Sequence, residues 1–108
     1  MELNEVRITI VEDHREFREG LVSFINFSPG YRCETNFASV ESALETSIEC
    51  DVVLLDINLP GRSGIEAIPL LKERDPDLKI IMMTIFDDSE NIFNAMKAGA
   101  DGYLLKNT

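Results

Sequence analysis

The chain has 108 residues, and 20 acidic against 10 basic side chains leave a formal charge of −10 with the single histidine neutral. At 44% hydrophobic residues it can bury one core, which argues against disorder. Its acidity argues against a nucleic-acid surface of its own, because phosphate backbones attract Lys and Arg clusters. No apolar run approaches the roughly 20 residues that span a bilayer. The opening Met1-Glu2-Leu3-Asn4-Glu5 does not read as a signal peptide. Cys33 and Cys50 make neither a disulfide framework nor a zinc site, so they are expected to be inert thiols in a reducing cytoplasm.

Short apolar runs alternate with stretches of helical spacing. Val6–Val11 reads as a buried strand and closes on Glu12 and Asp13. Phe17, Leu21, Phe24 and Ile25 then form one stripe, predicting a helix over Arg15–Phe27. The second run, Arg32–Phe37, is the weakest, and its closing Asn36-Phe37 offers no comparable reactive group. Ser39 is placed to cap a stripe of Val40, Ala43, Leu44 and Ile48. The third run, Val52–Leu55, closes on Asp56, followed by Ile57 and Asn58.

The third stripe, Ile65, Ile68 and Leu71, is less regular, with Lys72 where the next apolar residue is expected. Pro69 inside it costs one backbone hydrogen bond and predicts a bend or a delayed start. Lys79–Met83 follows and closes on Thr84. Ile92, Phe93, Ala95 and Met96 form the fourth stripe, opened by Asp88 or Ser89 and closed by Gly99. The last run, Gly102–Leu105, closes on Lys106. Met82, Met83, Phe86 and Phe93 are expected to be packing residues. Asp87 and Asp88 are expected at a helix start, where the dipole favours them.

This alternation predicts an α/β fold: a doubly wound, flavodoxin-like parallel sheet of five strands in the order 2-1-3-4-5, forming one domain over residues 1–108. In that order a fifth helix should share a face with the first, yet only three residues follow the fifth run. The expectation is a fragment of a longer chain, or an apolar strip covered by something else, such as a second copy in a homodimer.

Ligands in open α/β sheets bind outside the carboxyl ends of the strands. Glu12, Asp13, Asp56, Thr84 and Lys106 all close runs on one continuous rim. Converging carboxylates repel, and a hard divalent cation such as Mg2+ relieves them with oxygen ligands. Lys106 adds a fixed positive charge, and Thr84 a hydroxyl that can donate to an oxyanion. Such a set suits phosphoryl transfer, with Asp56 the best nucleophile and Glu12 and Asp13 holding the metal directly or through water. Each residue alone has a plainer reading. Glu12-Asp13 could be loop solvation, Asp56 a turn residue before Pro60-Gly61, Thr84 an ordinary strand residue and Lys106 a solvated lysine. Their common rim favours the chemical one.

The Glu12-Asp13 pair, the stretch Asp56-Ile-Asn-Leu-Pro-Gly, Thr84 and Tyr103-Leu-Leu-Lys106 resemble, in order and spacing, a response-regulator receiver domain of two-component signalling. The resemblance covers essentially the whole chain. It implies Asp56 as phosphoacceptor, with Asp13, Asp56 and the Asn58 backbone carbonyl as magnesium ligands and Glu12 contributing through water. It implies Lys106 as the partner of the phosphoryl group, Thr84 as the switch hydroxyl and Tyr103 as the aromatic that turns with it. It further implies a sensor histidine kinase as partner, and a switch that catalyses only its own phosphorylation and dephosphorylation.

Asn107 follows the lysine where the family often has a cis-proline. Glu-Asp-His-Arg-Glu-Phe-Arg-Glu-Gly-Leu and Gly-Tyr-Leu-Leu-Lys-Asn-Thr are similar to the subfamily joined to a helix-turn-helix DNA-binding domain. DNA binding would therefore belong to an output domain outside these residues. His14 is expected to be exposed and not a ligand, and Ile85 to narrow access to the site. Two other readings stand beside this one. A flavodoxin-like small-ligand binder would need a less acidic first loop. A degenerate receiver, acting as a phosphorylation-independent interaction module, would normally lack one of the acid, lysine or hydroxyl positions.

Overall fold

A computed structural model describes residues 5–59, 61–85 and 89–106. In chain order the elements are β1 (Val6–Val11), α1 (Arg15–Phe27), β2 (Tyr31–Phe37), α2 (Val40–Leu44), β3 (Val52–Asp56), α3 (Gly64–Arg74), β4 (Lys79–Thr84), α4 (Ser89–Ala98) and β5 (Gly102–Leu105). The strands are all parallel and lie in the expected order, β2-β1-β3-β4-β5. The roles expected of Pro60, Phe86, Asp87, Asp88 and Asn107 fall outside the described residues. Among the described residues, no helix is long and apolar enough to cross a membrane.

Alternation along the strands sorts the apolar residues onto two faces. Val11, Val53, Leu55, Ile80 and Met82 pack with Val40 and Ala43 of α2, Ala67, Ile68 and Leu71 of α3, and Ala95 of α4. Ile8, Ile10, Cys33 and Met83 face the other way, onto Ile25, Phe17, Leu21 and Val22 of α1. Both Cys33 and Cys50 are buried free thiols, and burial pushes each pKa up, as inert cysteines require.

The register explains why β2 is the weakest run in the sequence. Ile8 pairs with Cys33, but Thr9 pairs with Thr35, so Glu34 is an extra residue in a bulge. Cys33 therefore faces α1, whereas Thr35 joins Thr9 on the opposite face, where their hydroxyls lie 2.8 Å apart. No single alternation runs through such a strand.

The helices depart from their stripes in specific ways. Ser39 caps α2 as expected, its hydroxyl accepting from the Ser42 N–H at 3.1 Å. The helix stops at Leu44, however, and Ile48 reaches the core from the loop beyond. Pro69 does not delay α3, because Ser63 starts it one residue before Gly64 by accepting from the Glu66 N–H at 3.2 Å. Lys72 breaks the third stripe because its ammonium reaches across to Asp101 Oδ2 at 2.8 Å. That same oxygen accepts the Ile80 N–H at 2.8 Å.

Phe93 is a correction: it is 62% exposed rather than packed. The inward row of α4 is Ile92, Ala95 and Ala98, and Phe93 stands one position off it, under the Lys97 ammonium at 5.4 Å. Met82 and Met83 are buried as expected. Gly99 ends α4 with φ +117°, a conformation open to glycine at little cost.

On the α1 face, Phe17, Leu21 and Ile25 point inward, while Phe24 is 70% exposed. Ile8, Leu21, Phe24, Ile25, Tyr31 and Leu104 are among the walls of a 280 Å3 groove there, beside Leu54. Among the described residues nothing covers this strip.

Candidate functional site

Three strands deliver charged side chains to one corner by continuing their ladders. The Glu12 N–H donates to the Phe37 carbonyl at 2.9 Å, carrying β1 one residue further. The Ile57 N–H donates to the Met83 carbonyl at 3.0 Å, and the Lys106 N–H to the Thr84 carbonyl at 2.8 Å. Alternation then directs Glu12, Asp56 and Lys106 to the α1 face, in line with Ile10, Leu54 and Leu104.

At that corner Glu12 is wholly buried and Asp56 nearly so. The Lys106 ammonium makes ion pairs with Glu12 Oε1 and with Asp56 Oδ2, the latter at 3.1 Å. Its side chain is 11% exposed, so these pairs are poorly screened by water. It also lies over the Phe17 ring, 5.1 Å from the centroid. Asp13 is exposed, yet carboxylate oxygens of Glu12, Asp13 and Asp56 come within 4.8 Å of one another. Three carboxylates and one ammonium leave a local charge of about −2. Burial and the neighbouring Glu12 push the Asp56 carboxyl above its ordinary value, only partly offset by Lys106. Burial pulls the Lys106 ammonium the other way, but the Glu12 and Asp56 carboxylates outweigh it and raise its pKa.

The donor set fits a hard divalent cation. All candidate ligands are oxygens, and the enclosed Glu12 Oε1 meets the Lys106 ammonium. Such a cation would relieve the Glu12 repulsion that adds to burial in raising the Asp56 carboxyl.

Further contacts hold this corner together. Arg18 donates from Nη1 to the Glu12 carbonyl at 2.7 Å and from Nε to Asn36 Oδ1 at 3.0 Å, clamping the end of β1 to that of β2. The His14 N–H donates to Glu12 Oε2 at 2.9 Å, while the residue itself is exposed, as expected. The Asn58 N–H donates to Asp56 Oδ1 at 3.1 Å, a local turn that fixes the carboxylate from below. Gly64 meets the end of β3 so closely that a Cβ there would stand 2.1 Å from the Asp56 carbonyl oxygen. Behind them, Glu41 Oε2 accepts the Arg62 N–H at 2.9 Å and ties the β3–α3 loop to α2.

Thr84 is buried at the end of β4. Asp56 is in register with Met83, so Thr84 lies one step beyond it and faces the α3–α4 side with Ile80 and Met82. Tyr103 is in register with Met82, which puts it on that same side, 48% exposed. The carboxyl–lysine group and the Thr84–Tyr103 pair therefore flank the rim from opposite faces. Ile85 is half-exposed and, with His14, Phe17 and Lys106, lines a 360 Å3 opening beside the lysine.

Residues 8–108 match the response regulator receiver domain family. The transcriptional regulatory protein DegU of Brevibacillus brevis is 37% identical over 105 residues, covering 95% of this chain and 44% of DegU. The nitrate/nitrite response regulator protein NarL of Escherichia coli is 33% identical over 101 residues, covering 92% of this chain and 47% of NarL. The chain thus spans about half the length of these curated relatives. Among solved structures, a two-component response regulator of the LuxR family from Aurantimonas sp. SI85-9A1 superposes with a TM-score of 0.86 at 34% identity, covering 97% of this chain and 76% of that one. A DNA-binding response regulator of the LuxR family from Staphylococcus aureus gives 0.85 at 25% identity, covering 95% and 88%. By sequence match, strand order and rim alike, the chain belongs to the response regulator receiver domain family, with relatives of the LuxR and NarL type.

Proposed function

We propose that the chain is a phosphoacceptor switch in which Asp56 takes a phosphoryl group from a sensor histidine kinase. The observation that carries this is the buried Asp56 carboxylate gathered with Glu12 and Asp13 while Lys106 stands 3.1 Å from its Oδ2. An Asp56 oxygen attacks phosphorus, the P–N bond of the donor phosphohistidine breaks, and the imidazole nitrogen leaves with the electron pair and takes up a proton. The product is an acyl phosphate on Asp56.

Asp13, Asp56 and the Asn58 carbonyl, with Glu12 through water, would hold Mg2+, which when bound neutralises charge on the phosphoryl oxygens. Lys106 supplies a fixed positive charge on the other side. The Thr84 hydroxyl then donates to a phosphoryl oxygen, and Tyr103 turns into the space it leaves, biasing the surface of α4 and β5 between two states. The chain modifies only itself and turns over no separate substrate.

Of the relatives named above, DegU is a transcriptional regulatory protein and the Staphylococcus aureus protein a DNA-binding response regulator by description. A cytoplasmic switch acting through a DNA-binding output domain, with a second copy as partner, fits that company. Acetyl phosphate with Mg2+, read by intact mass, tests the reading. One phosphate should add to the parent chain and none to Asp56→Asn. A folded parent chain that gains no phosphate overturns the proposal in favour of a phosphorylation-independent interaction module.

A further inference from the structure

Lys106 ends an edge strand and carries its charge on a flexible four-carbon stem, so something must hold the ammonium beside Asp56. Two of its neighbours are Glu12 and Asp56, but both are also candidate ligands for a cation and lose attraction for the lysine once their charge is shared. The third neighbour is different in kind. The Phe17 ring, in the first turns of α1, lies under the ammonium at 5.1 Å, within the range of a cation–π contact. Phe17 itself packs against the buried cluster on the α1 face, so the ring is backed by the core.

We infer that Phe17 is the positioning residue for Lys106, its π face holding the ammonium over the corner where the phosphoryl group forms. The consequence for reaction rate rests on the phosphoacceptor reading, whereas the ring contact itself does not. A ring suits this place better than a third carboxylate, since it attracts the cation without adding negative charge to an already acidic corner or competing for a metal.

The test must separate ring electrostatics from packing. Pentafluorophenylalanine at position 17 keeps an apolar ring of similar shape but reverses the charge distribution of its face, and Phe17→Tyr keeps the attractive face. Phosphorylation of the full chain by acetyl phosphate and Mg2+ is expected to slow about five-fold with the fluorinated ring and to stay near the parent rate in Phe17→Tyr. Thermal midpoints should be nearly equal in all three. Equal rates for the fluorinated and parent rings overturn the inference.

The Lys106 side-chain methylene proton shifts, read by NMR in the same samples without phosphodonor, give the second measurement. Ring-current displacement should be present in the parent and lost in Phe17→Leu. Its absence in the parent overturns the contact. If the parent chain takes up no phosphate, the phosphoacceptor reading falls, and the proton shifts alone decide whether Phe17 holds the lysine.

Discussion

The two faces of the sheet differ in how completely they are closed. Toward α2, α3 and α4, side chains such as Val53, Leu55, Ala67, Ile68, Ile80 and Met82 have no exposed surface. Toward α1 the packed cluster is smaller, and Phe24, Leu104 and a 280 Å3 groove remain open. The acidic cluster and its lysine sit at the upper margin of the open face, where Glu12, Asp56 and Lys106 project. The Thr84–Tyr103 pair sits on the closed one. Stability and acid–base chemistry are thus carried largely by different sides of one sheet, with the strand ends as their common boundary.

Substitutions can break that contrast. Ile68→Ala opens a cavity in the closed face and is expected to cost about 3–5 kcal/mol in urea unfolding. Lys106→Met strands two buried carboxylates and is expected to cost about 3 kcal/mol at pH 7. Gly64→Ala drives a methyl group into the Asp56 carbonyl and is expected to cost about 2 kcal/mol and to slow phosphorylation with it. Phe24→Ala, on the open face, should change stability by less than about 0.5 kcal/mol. If Phe24→Ala proved as damaging as Ile68→Ala, the distinction between the faces would collapse.

Acidity sharpens the same contrast at the margin. The folded state raises the Asp56 pKa above its ordinary 3.8, so it favours the protonated carboxyl. The stability tied to that proton is fully present below 3.8 and is lost as pH rises through the higher folded value. Asp56→Asn should therefore be more stable than the parent at neutral pH, with the advantage fading toward pH 3, as followed by urea midpoints. Lys106 is also raised, from 10.5, so its contribution is present at neutral pH and is lost only above that value. Mg2+ should raise the parent's thermal midpoint and raise that of Asp13→Asn less, if the acidic corner holds it.

Much of this was legible in the sequence because strand and rim signals are local. The runs fixed β1 and β5 to the residue and missed the ends of the other three by one, since ladder bonds carry β3 and β4 into Asp56 and Thr84. The residues that close the runs identified the corner, because a parallel sheet lines up its carboxyl ends. What escaped depends on partners distant in sequence. Arg18 needs Asn36, Lys72 needs Asp101 and Phe17 needs Lys106, and no periodicity announces such pairs. Gly64 was overlooked although it follows a capping serine, because only the packed backbone shows how near the Asp56 carbonyl lies. The stripe on α4 misplaced Phe93 since the alanines, not the large side chains, set its inward row.

Asp101 has a mechanical consequence. One of its oxygens grips both the Lys72 ammonium and the Ile80 amide, fastening the foot of β5 to α3 and β4 at the end farthest from the reactive corner. An edge strand anchored at its base and laddered to β4 as far as Lys106 resists sliding along its neighbour, which keeps the lysine level with the end of β4.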